Sequence, residues 1–554
     1  MKKNWNHLVA IFIYTSISFF FSLFLLKDIG HSLIGGDGIF TYWALSWDIH
    51  SFLTHPLDIF NANIFYPHLR TLAYSESTLA PAFLALPFFL LTKKTILVYN
   101  LLIFLSFILS AYGAFLLARY YTKNNYAAFI AGLIFGFGVP RLSGIGHFQN
   151  LIIFWIPFSV LFLQKYFDTS KRKYLLIASL LFSAQMLSCW NLGAYLFLFF
   201  IYLIAVNYSV LIKNIKKTAT DGLLALLIAI ILIMPAAYPY IALNREIGFQ
   251  YPMQDAVNGS ADIGGYLIPS PGTRLFFLNS LLGINKSHWQ ENANFLGFFS
   301  IFIILFYILF LRKKIKERNF KIFFWGIFIF VVLSFGPYAR FLGKLNITVP
   351  LPYYAVSKFM HLGFIRTPSR LALIALFCLS ITVAYILSFF KFSQNKKYIV
   401  VALLIPFYIL FENWISFSDK ILFKNTACPA IYSIVKENPS VKSLVELPIS
   451  PAFTDMGNTL TYLYTATCHY KPILNGYSGF APPDYNENSE IINTFPDAES
   501  ITRLRKLKIS HVLLHLNLIN PDKRLPLAEA INNNKYLEVI VRSGEDYLIR
   551  IEKE

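Results

Sequence analysis

"TLAPAFLALPFFLLT", residues 78–92, is apolar almost throughout, yet Pro81 and Pro87 interrupt it and it counts only 15 residues. A helix rises about 1.5 Å per residue and the hydrocarbon core of a bilayer is about 30 Å thick, so a crossing takes about 20 residues. Whether this stretch crosses decides on which side everything downstream emerges. Longer apolar runs surround it, near 8–26, 96–118, 126–141, 148–167, 174–190, 192–212, 221–243, 295–311, 320–337, 371–390 and 398–417. Basic clusters settle the parity, because cytoplasmic loops carry the excess of Lys and Arg. Lys2/Lys3, Arg119/Lys123, Lys171–Arg172–Lys173, Lys213/Lys216/Lys217, "RKKIKER" (312–318) and Lys391/Lys396/Lys397 all fall on one side only if 78–92 does not span. It is therefore expected to lie on the outer face as a re-entrant or surface helix. The reading is an α-helical polytopic membrane protein of about 11 transmembrane helices, with its N-terminus inside.

Composition agrees. Of 554 residues, 56% are hydrophobic and 14% charged, and mean hydropathy is +0.55, whereas a soluble domain is about a quarter charged. The net charge of +19 does not point to nucleic acid. Before Ser418 there are 33 Lys+Arg against 13 Asp+Glu, but from Ser418 onward 15 against 16, so the excess belongs to short loops between spans. The first apolar run could pass for a signal peptide, but it is long and has no small-x-small cleavage site, so it is expected to stay as a span.

Two domains are expected: 1–417 in the membrane, with outer loops over 27–95, 244–294 and 338–370, and an extracytoplasmic α/β domain over 418–554. In the tail, "SLVELPI" (443–449), "ISHVLLHL" (509–516), "LEVIVRS" (537–543) and "DYLIRIE" (546–552) have strand character, and "AESITRLRKLK" (498–508) has helical spacing. Cys428 and Cys468 lie in this tail, where pairing is left open. No CxxC, HExxH, Walker loop or GxSxG occurs.

The outer face collects nine of the thirteen acids before Ser418: Asp28, Asp37, Asp48, Asp58, Glu76, Glu246, Asp255, Asp262 and Glu291. Asp37 leads them. It stands among Gly35, Gly36 and Gly38, which let backbone approach a ligand closely, and Tyr42, Trp43 and Trp47 offer flat faces for a sugar. The plainer alternative is a helix cap with an interfacial aromatic belt. Glu76, in "LAYSESTLAP" (72–81), is placed to hold a metal, orient an acceptor or tune Asp37, or simply to satisfy a helix dipole. Asp48 and Asp58 read as ordinary loop acids, Asp58 as turn chemistry beside Pro56. "GHFQNL" (146–151) offers His147, Gln149 and Asn150 as a hydroxyl-recognising edge.

Basic residues outside run against the positive-inside bias, which makes "FIRTPSRLAL" (364–373) informative. Arg366 and Arg370, with Lys358 and His361 upstream, sit just ahead of a span. Guanidinium groups grip phosphate bidentately, and lipid phosphates lie at that depth. Headgroup snorkelling is the alternative. Arg274 in "PSPGTRLF" (269–276) and Arg141 are weaker versions of the same idea.

This arrangement resembles the GT-C-fold glycosyltransferases, integral membrane enzymes that use polyprenyl-phosphate-linked sugars. The shared features are a first span, a long outer loop with an acid near its start (Asp37), juxtamembrane helices in that loop, a basic site on the same face and an extracytoplasmic C-terminal domain. "DIFNANIFYPHLRTLAYSESTLAPAFLALP" (58–87) and "LNGYSGFAPPDY" (474–485) are similar to a bacterial GT-C-related group near the YfhO-like membrane proteins. The resemblance implies transfer of a sugar from a polyprenyl-phosphate donor to an envelope glycan, lipid or protein acceptor at the outer face of the cytoplasmic membrane. Asp37 would be the general base, Glu76 and His147 its helpers, and Arg366 and Arg370 the phosphate grip. Many relatives carry an acidic pair in the first loop. Here Gly38 follows Asp37 and the next acid is Asp48, so a divalent cation is left open. No WWD motif stands in 244–294, which argues against an oligosaccharyltransferase. The rival readings are a transporter or flippase of a lipid-linked saccharide, and a non-catalytic envelope-assembly protein; few ionisable residues lie deep in spans, which disfavours coupled transport.

Overall fold

The computed structural model describes residues 2–248, 251–281, 293–343, 345–347, 349–359, 365–390, 396–415, 417, 421–424 and 427–552; Glu291 and His361 fall outside them. The chain divides into two units. The first holds Met1–Lys27, Asn100–Ala237 and Asn244–Ile421, and the second Asp28–Tyr99, Tyr238–Leu243 and Leu422–Glu554. The outer loop expected over 27–95 thus groups with the tail, because backbone pairing joins them, as described below.

Each expected span coincides with helix. The helices are Lys2–Leu26, Thr95–Thr122, Asn125–Phe137 followed by Val139–Leu142, Trp155–Thr169, Arg172–Met186, Trp190–Val206 and Ile215–Ile247, then Phe298–Phe306 with its π-helical end Tyr307–Leu311, Arg318–Ser334, Ala372–Ser388 and Lys396–Asn413. Among the described residues six stretches are long and apolar enough to cross a membrane: Asn6–Leu26, Thr95–Thr122, Asn125–Leu142, Phe148–Thr169, Tyr208–Ile247 and Pro368–Ser388. The stretch at 78–92 folds as the 14-residue helix Leu79–Thr92 with Pro87 inside it. At 1.5 Å per residue that is about 21 Å, too short for the hydrocarbon core.

Inside the first unit, every residue from Ala372 to Leu387 is buried, so this helix is apolar all round because it is surrounded. It packs against Asn125–Phe137 and Arg318–Ser334. Gly132 and Gly136 give the helix Asn125–Phe137 a bare stripe facing Ala111. A Cβ at Gly136 would stand 2.6 Å from the Ala111 Cβ, and one at Gly132 2.6 Å from its carbonyl oxygen. Small residues four apart let membrane helices close in this way. By contrast Leu223, Leu226, Leu227, Ile230, Ile231 and Met234 on Ile215–Ile247 are exposed, a face suited to lipid rather than water.

The second unit is built on the tail's sheet. Its strands run in the order Leu444–Leu447, His511–His515, Asp546–Ile551, Leu537–Ser543. The first pair is parallel and the others antiparallel, and the helix Ala498–Lys506 precedes the second strand. Backbone of residues 63–66 is stitched to this tail. The Ile473 N–H donates to the Asn63 carbonyl at 2.8 Å, Tyr66 N–H to Ile473 at 2.9 Å and Phe65 N–H to Asn475 at 3.2 Å, while Leu474 N–H donates to Leu444 at 2.9 Å. Leu33–Ile34 pairs antiparallel with Leu422–Phe423. Cys428 and Cys468 form a disulfide, Cα to Cα 6.0 Å.

One buried ionic cluster sits in the sheet. His515 Nδ1 lies 2.8 Å from Asp546 Oδ1 and its Nε2 3.1 Å from Glu446 Oε2, which also accepts from the Tyr432 hydroxyl at 2.5 Å. Burial works to lower the imidazole, but the hydrogen bonds and charges of Asp546 and Glu446 outweigh it and carry it up to about 9.

Two outcomes follow from this packing. Closing a loop of 40 residues removes chain entropy worth about 4 kcal/mol; replacing both Cys428 and Cys468 by Ser should lower the denaturant midpoint of the second unit accordingly, and oxidised protein should leave both thiols unlabelled by maleimide. A His raised above its unfolded value stabilises below about pH 6.5 and loses that contribution as pH climbs through about 9. Pulse proteolysis of the full chain should therefore show resistance falling between about pH 7 and about pH 9.5, and His515→Gln should flatten that dependence.

Candidate active site

Asp37 is the first residue of the helix Asp37–Thr54, reached through Gly36 at φ +61°. That left-handed turn is cheap only for glycine, and it sets a carboxylate at a helix N-terminus, where the unpaired N–H groups favour negative charge. Gly38 is needed next, since a Cβ there would meet the Ile34 Cβ at 2.9 Å. Asp37 is half-buried and its Oδ1 accepts from the Tyr477 hydroxyl at 2.7 Å. The Tyr99 hydroxyl lies close by, donating to the Gly38 carbonyl at 3.2 Å and standing 2.8 Å from Thr41 Oγ1. The Tyr477 ring meets Phe40 edge-on at 5.5 Å and Phe453 at 5.9 Å. In the sequence Tyr477 stands within "LNGYSGFAPPDY" (474–485), where no local signal ties it to Asp37.

The aromatic faces expected beside Asp37 are not on offer. Trp43 is 1% exposed; its Nε1 donates to Asn63 Oδ1 at 3.0 Å and its ring packs on Phe40. Tyr42 and Trp47 are buried as well. The helix is enclosed on most sides, by Leu79–Thr92 and Met456–His469 among others, and so its aromatics become core. Asp48 also departs from its reading as a loop acid. It lies in this helix, fully buried, accepting from the Thr78 hydroxyl at 2.6 Å. Burial pushes its carboxyl up to about 7, against the pull of Thr78. Glu76 is half-buried, two residues before the N-cap Thr78 of Leu79–Thr92. Asp58 closes the exposed turn Pro56–Asp58, as expected. Among the described residues no three His, Cys, Asp or Glu side chains gather as a metal cluster.

In the first unit, Arg370, His147 and Asn150 come together with Ser143, Asn294 and Ser369 around a cavity of about 20 Å³. Arg370 belongs to the turn Pro368–Leu371 that opens the buried helix Ala372–Ser388. This segment rests on Gly259, whose carbonyl accepts from Ser369 N–H at 3.1 Å and where a Cβ would strike the Arg366 carbonyl. Tyr195 donates to the Thr367 carbonyl at 2.9 Å. Arg366 is exposed, its guanidinium 5.3 Å from the centre of the Tyr251 ring. Gln149 is buried with its Oε1 without a hydrogen-bond partner, and Arg274 is exposed, its residue anchored by a backbone bond to Trp414; neither lines the cavity. Arg141 is structural. It is fully buried, donates to the Gly136 and Leu151 carbonyls and to Ser106, and stacks over Phe107 at 4.4 Å.

No protein-family model matches the sequence, and no curated protein does either. Among solved structures, arabinofuranosyltransferase AftD from mycobacteria matches over 100% of this chain with a TM-score of 0.55 at 11% identity, and the chain spans 40% of AftD's length. The chain has the GT-C fold. ArnT from Cupriavidus metallidurans bound to undecaprenyl phosphate matches over 97% of both chains at 11% identity and a TM-score of 0.49, and apo ArnT over 97% of both at 12% and 0.42. Within this GT-C fold, Asp37 opens the helix Asp37–Thr54 that follows the first apolar helix, and Arg370 lies in the turn that opens the buried helix Ala372–Ser388.

Asp48 gives a direct check on the Asp37 helix. A carboxyl raised in the fold holds a proton that the unfolded chain releases, so stability falls as pH climbs from about 4 through about 7. Asp48→Asn keeps an acceptor for Thr78 without the charge. Its thermal midpoint, followed by tryptophan fluorescence, should exceed wild type by more at about pH 8 than at about pH 5.

Proposed function

We propose that the protein transfers a sugar from a polyprenyl-phosphate donor to an acceptor hydroxyl at the outer face of the cytoplasmic membrane, with inversion at the anomeric carbon. The observation that carries this reading is Asp37 itself, a half-buried carboxylate at a helix N-terminus, held by a hydroxyl and set on glycines at the head of the first loop of a GT-C fold. As the acceptor oxygen attacks the anomeric carbon, its proton passes to the Asp37 carboxylate. The bond from that carbon to the phosphate oxygen breaks, and the polyprenyl phosphate leaves with the electron pair. Arg370, with His147 and Asn150 beside it, and the exposed Arg366 bind the donor phosphate and stabilise the charge that grows on it. Glu76 assists at the acceptor.

Orientation has two supports. The basic loops place the N-terminus inside, and the Cys428–Cys468 disulfide suits a tail in an oxidising compartment. AftD is an arabinofuranosyltransferase, so an arabinofuranosyl donor belongs in the first panel of probes.

The test is turnover of radiolabelled polyprenyl-phosphate sugars, with envelope extract as acceptor, by purified protein in liposomes. A general base contributes about 10²–10⁴-fold, so Asp37→Asn should lose at least about a hundredfold in kcat while still binding donor. Arg370→Ala should raise the donor KM as well as lower kcat. Equal turnover by wild type and Asp37→Asn would remove Asp37 from the mechanism, and lipid movement without bond formation would replace the transferase by a flippase.

A further inference from the structure

The tail's Tyr477 touches the one carboxylate that the proposed chemistry needs, 440 residues away in sequence. The contact is built rather than incidental, because the three residues ahead of Tyr477 are each pinned in place. Leu474 is tied by its N–H to Leu444, and Asn475 accepts from Phe65 N–H through its carbonyl. The Asn475 side chain straddles Glu446, accepting from its N–H at 2.8 Å and donating to its carbonyl at 2.8 Å. Gly476 lies so close to the Phe65 ring that a Cβ would stand 2.6 Å from it. Past that pinned glycine, the Tyr477 ring is wedged against Phe40 and Phe453, which leaves its hydroxyl aimed at Asp37.

We infer that Tyr477 is the positioning residue of the base: its hydroxyl, delivered by the tail, fixes the rotation of the Asp37 carboxylate and holds it ionised for proton transfer. A donor to the charged form favours that form, and charge-assisted bonds of this kind are the stronger ones. The tail is thereby a working part of the active site. This rests on Asp37 as the base, but its first test does not.

A hydrophobic carbodiimide modifies protonated carboxyls, and peptide mass spectrometry reads its addition at Asp37. In the full-length protein, Tyr477→Phe keeps the ring contacts and removes only the donor, so the pH at which Asp37 labelling falls by half should move upward. The rising limb of kcat against pH should move the same way, with kcat down roughly tenfold and donor KM little changed. Tyr477→His, which restores a donor, should recover part of both. A labelling midpoint that stays in place in Tyr477→Phe overturns the inference, whatever the turnover; undiminished turnover in Asp37→Asn, beside a shifted midpoint, overturns the proposed function alone. A drop in kcat with neither midpoint nor pH profile moved would make Tyr477 merely structural and would also overturn the inference.

Discussion

A peptide group in hydrocarbon has no water to bond, so each N–H and C=O must be satisfied within its own segment. That constraint governs the first unit. It makes helix the form of every long apolar run and puts the remaining energetics into side-chain packing. The helix Ala372–Ser388 shows the result, with burial on all faces. So does Arg141, whose guanidinium finds two backbone carbonyls and a serine rather than a ligand. Gly132 and Gly136 exploit the same rule, since apolar helices in lipid gain by close approach and not by escaping water.

The second unit obeys a different economy. Here the fold depends on backbone pairing between segments distant in sequence. Residues 63–66 exchange hydrogen bonds with 473 and 475, and 472 and 474 continue the pattern into the strand Leu444–Leu447. The disulfide and the Leu33–Ile34 pairing with Leu422–Phe423 act in the same direction. Two segments that look separable along the chain, Asp28–Tyr99 and Leu422–Glu554, fall into one structural body. The helix bearing Asp37 is consequently enclosed, and its aromatics serve as core.

Buried charge marks the places where this unit spends stability. Asp48 is buried with one hydroxyl partner and is pushed toward neutrality. His515 is buried between two carboxylates and is pushed toward its cation. Burial drives both groups toward neutrality, but only His515 has compensating charges beside it, and these outweigh the burial. The Asp37 carboxylate differs from both. It stays half-buried at a helix N-terminus with a hydroxyl donor, and its proposed role as base rests on that placement.

The sequence by itself determined where the apolar helices, the four strands of the tail and the short helix at 79–92 fall, because hydrophobic period and length are local properties that backbone physics converts directly into structure. It also picked out Asp37 from its glycines, and Arg366, Arg370 and His147 from their position just outside the spans; of these, packing gathers Arg370 and His147 around one cavity. Burial is not local. Whether Trp43 faces a sugar or a core, whether Asp48 is a loop acid or a sealed one, and whether Arg141 awaits a phosphate or holds the backbone were decided only when distant segments closed over them. Pairing of Cys428 with Cys468, and of Tyr477 with Asp37 across 440 residues, belongs to the tertiary structure alone, because no periodicity in a chain encodes which of its remote parts will meet.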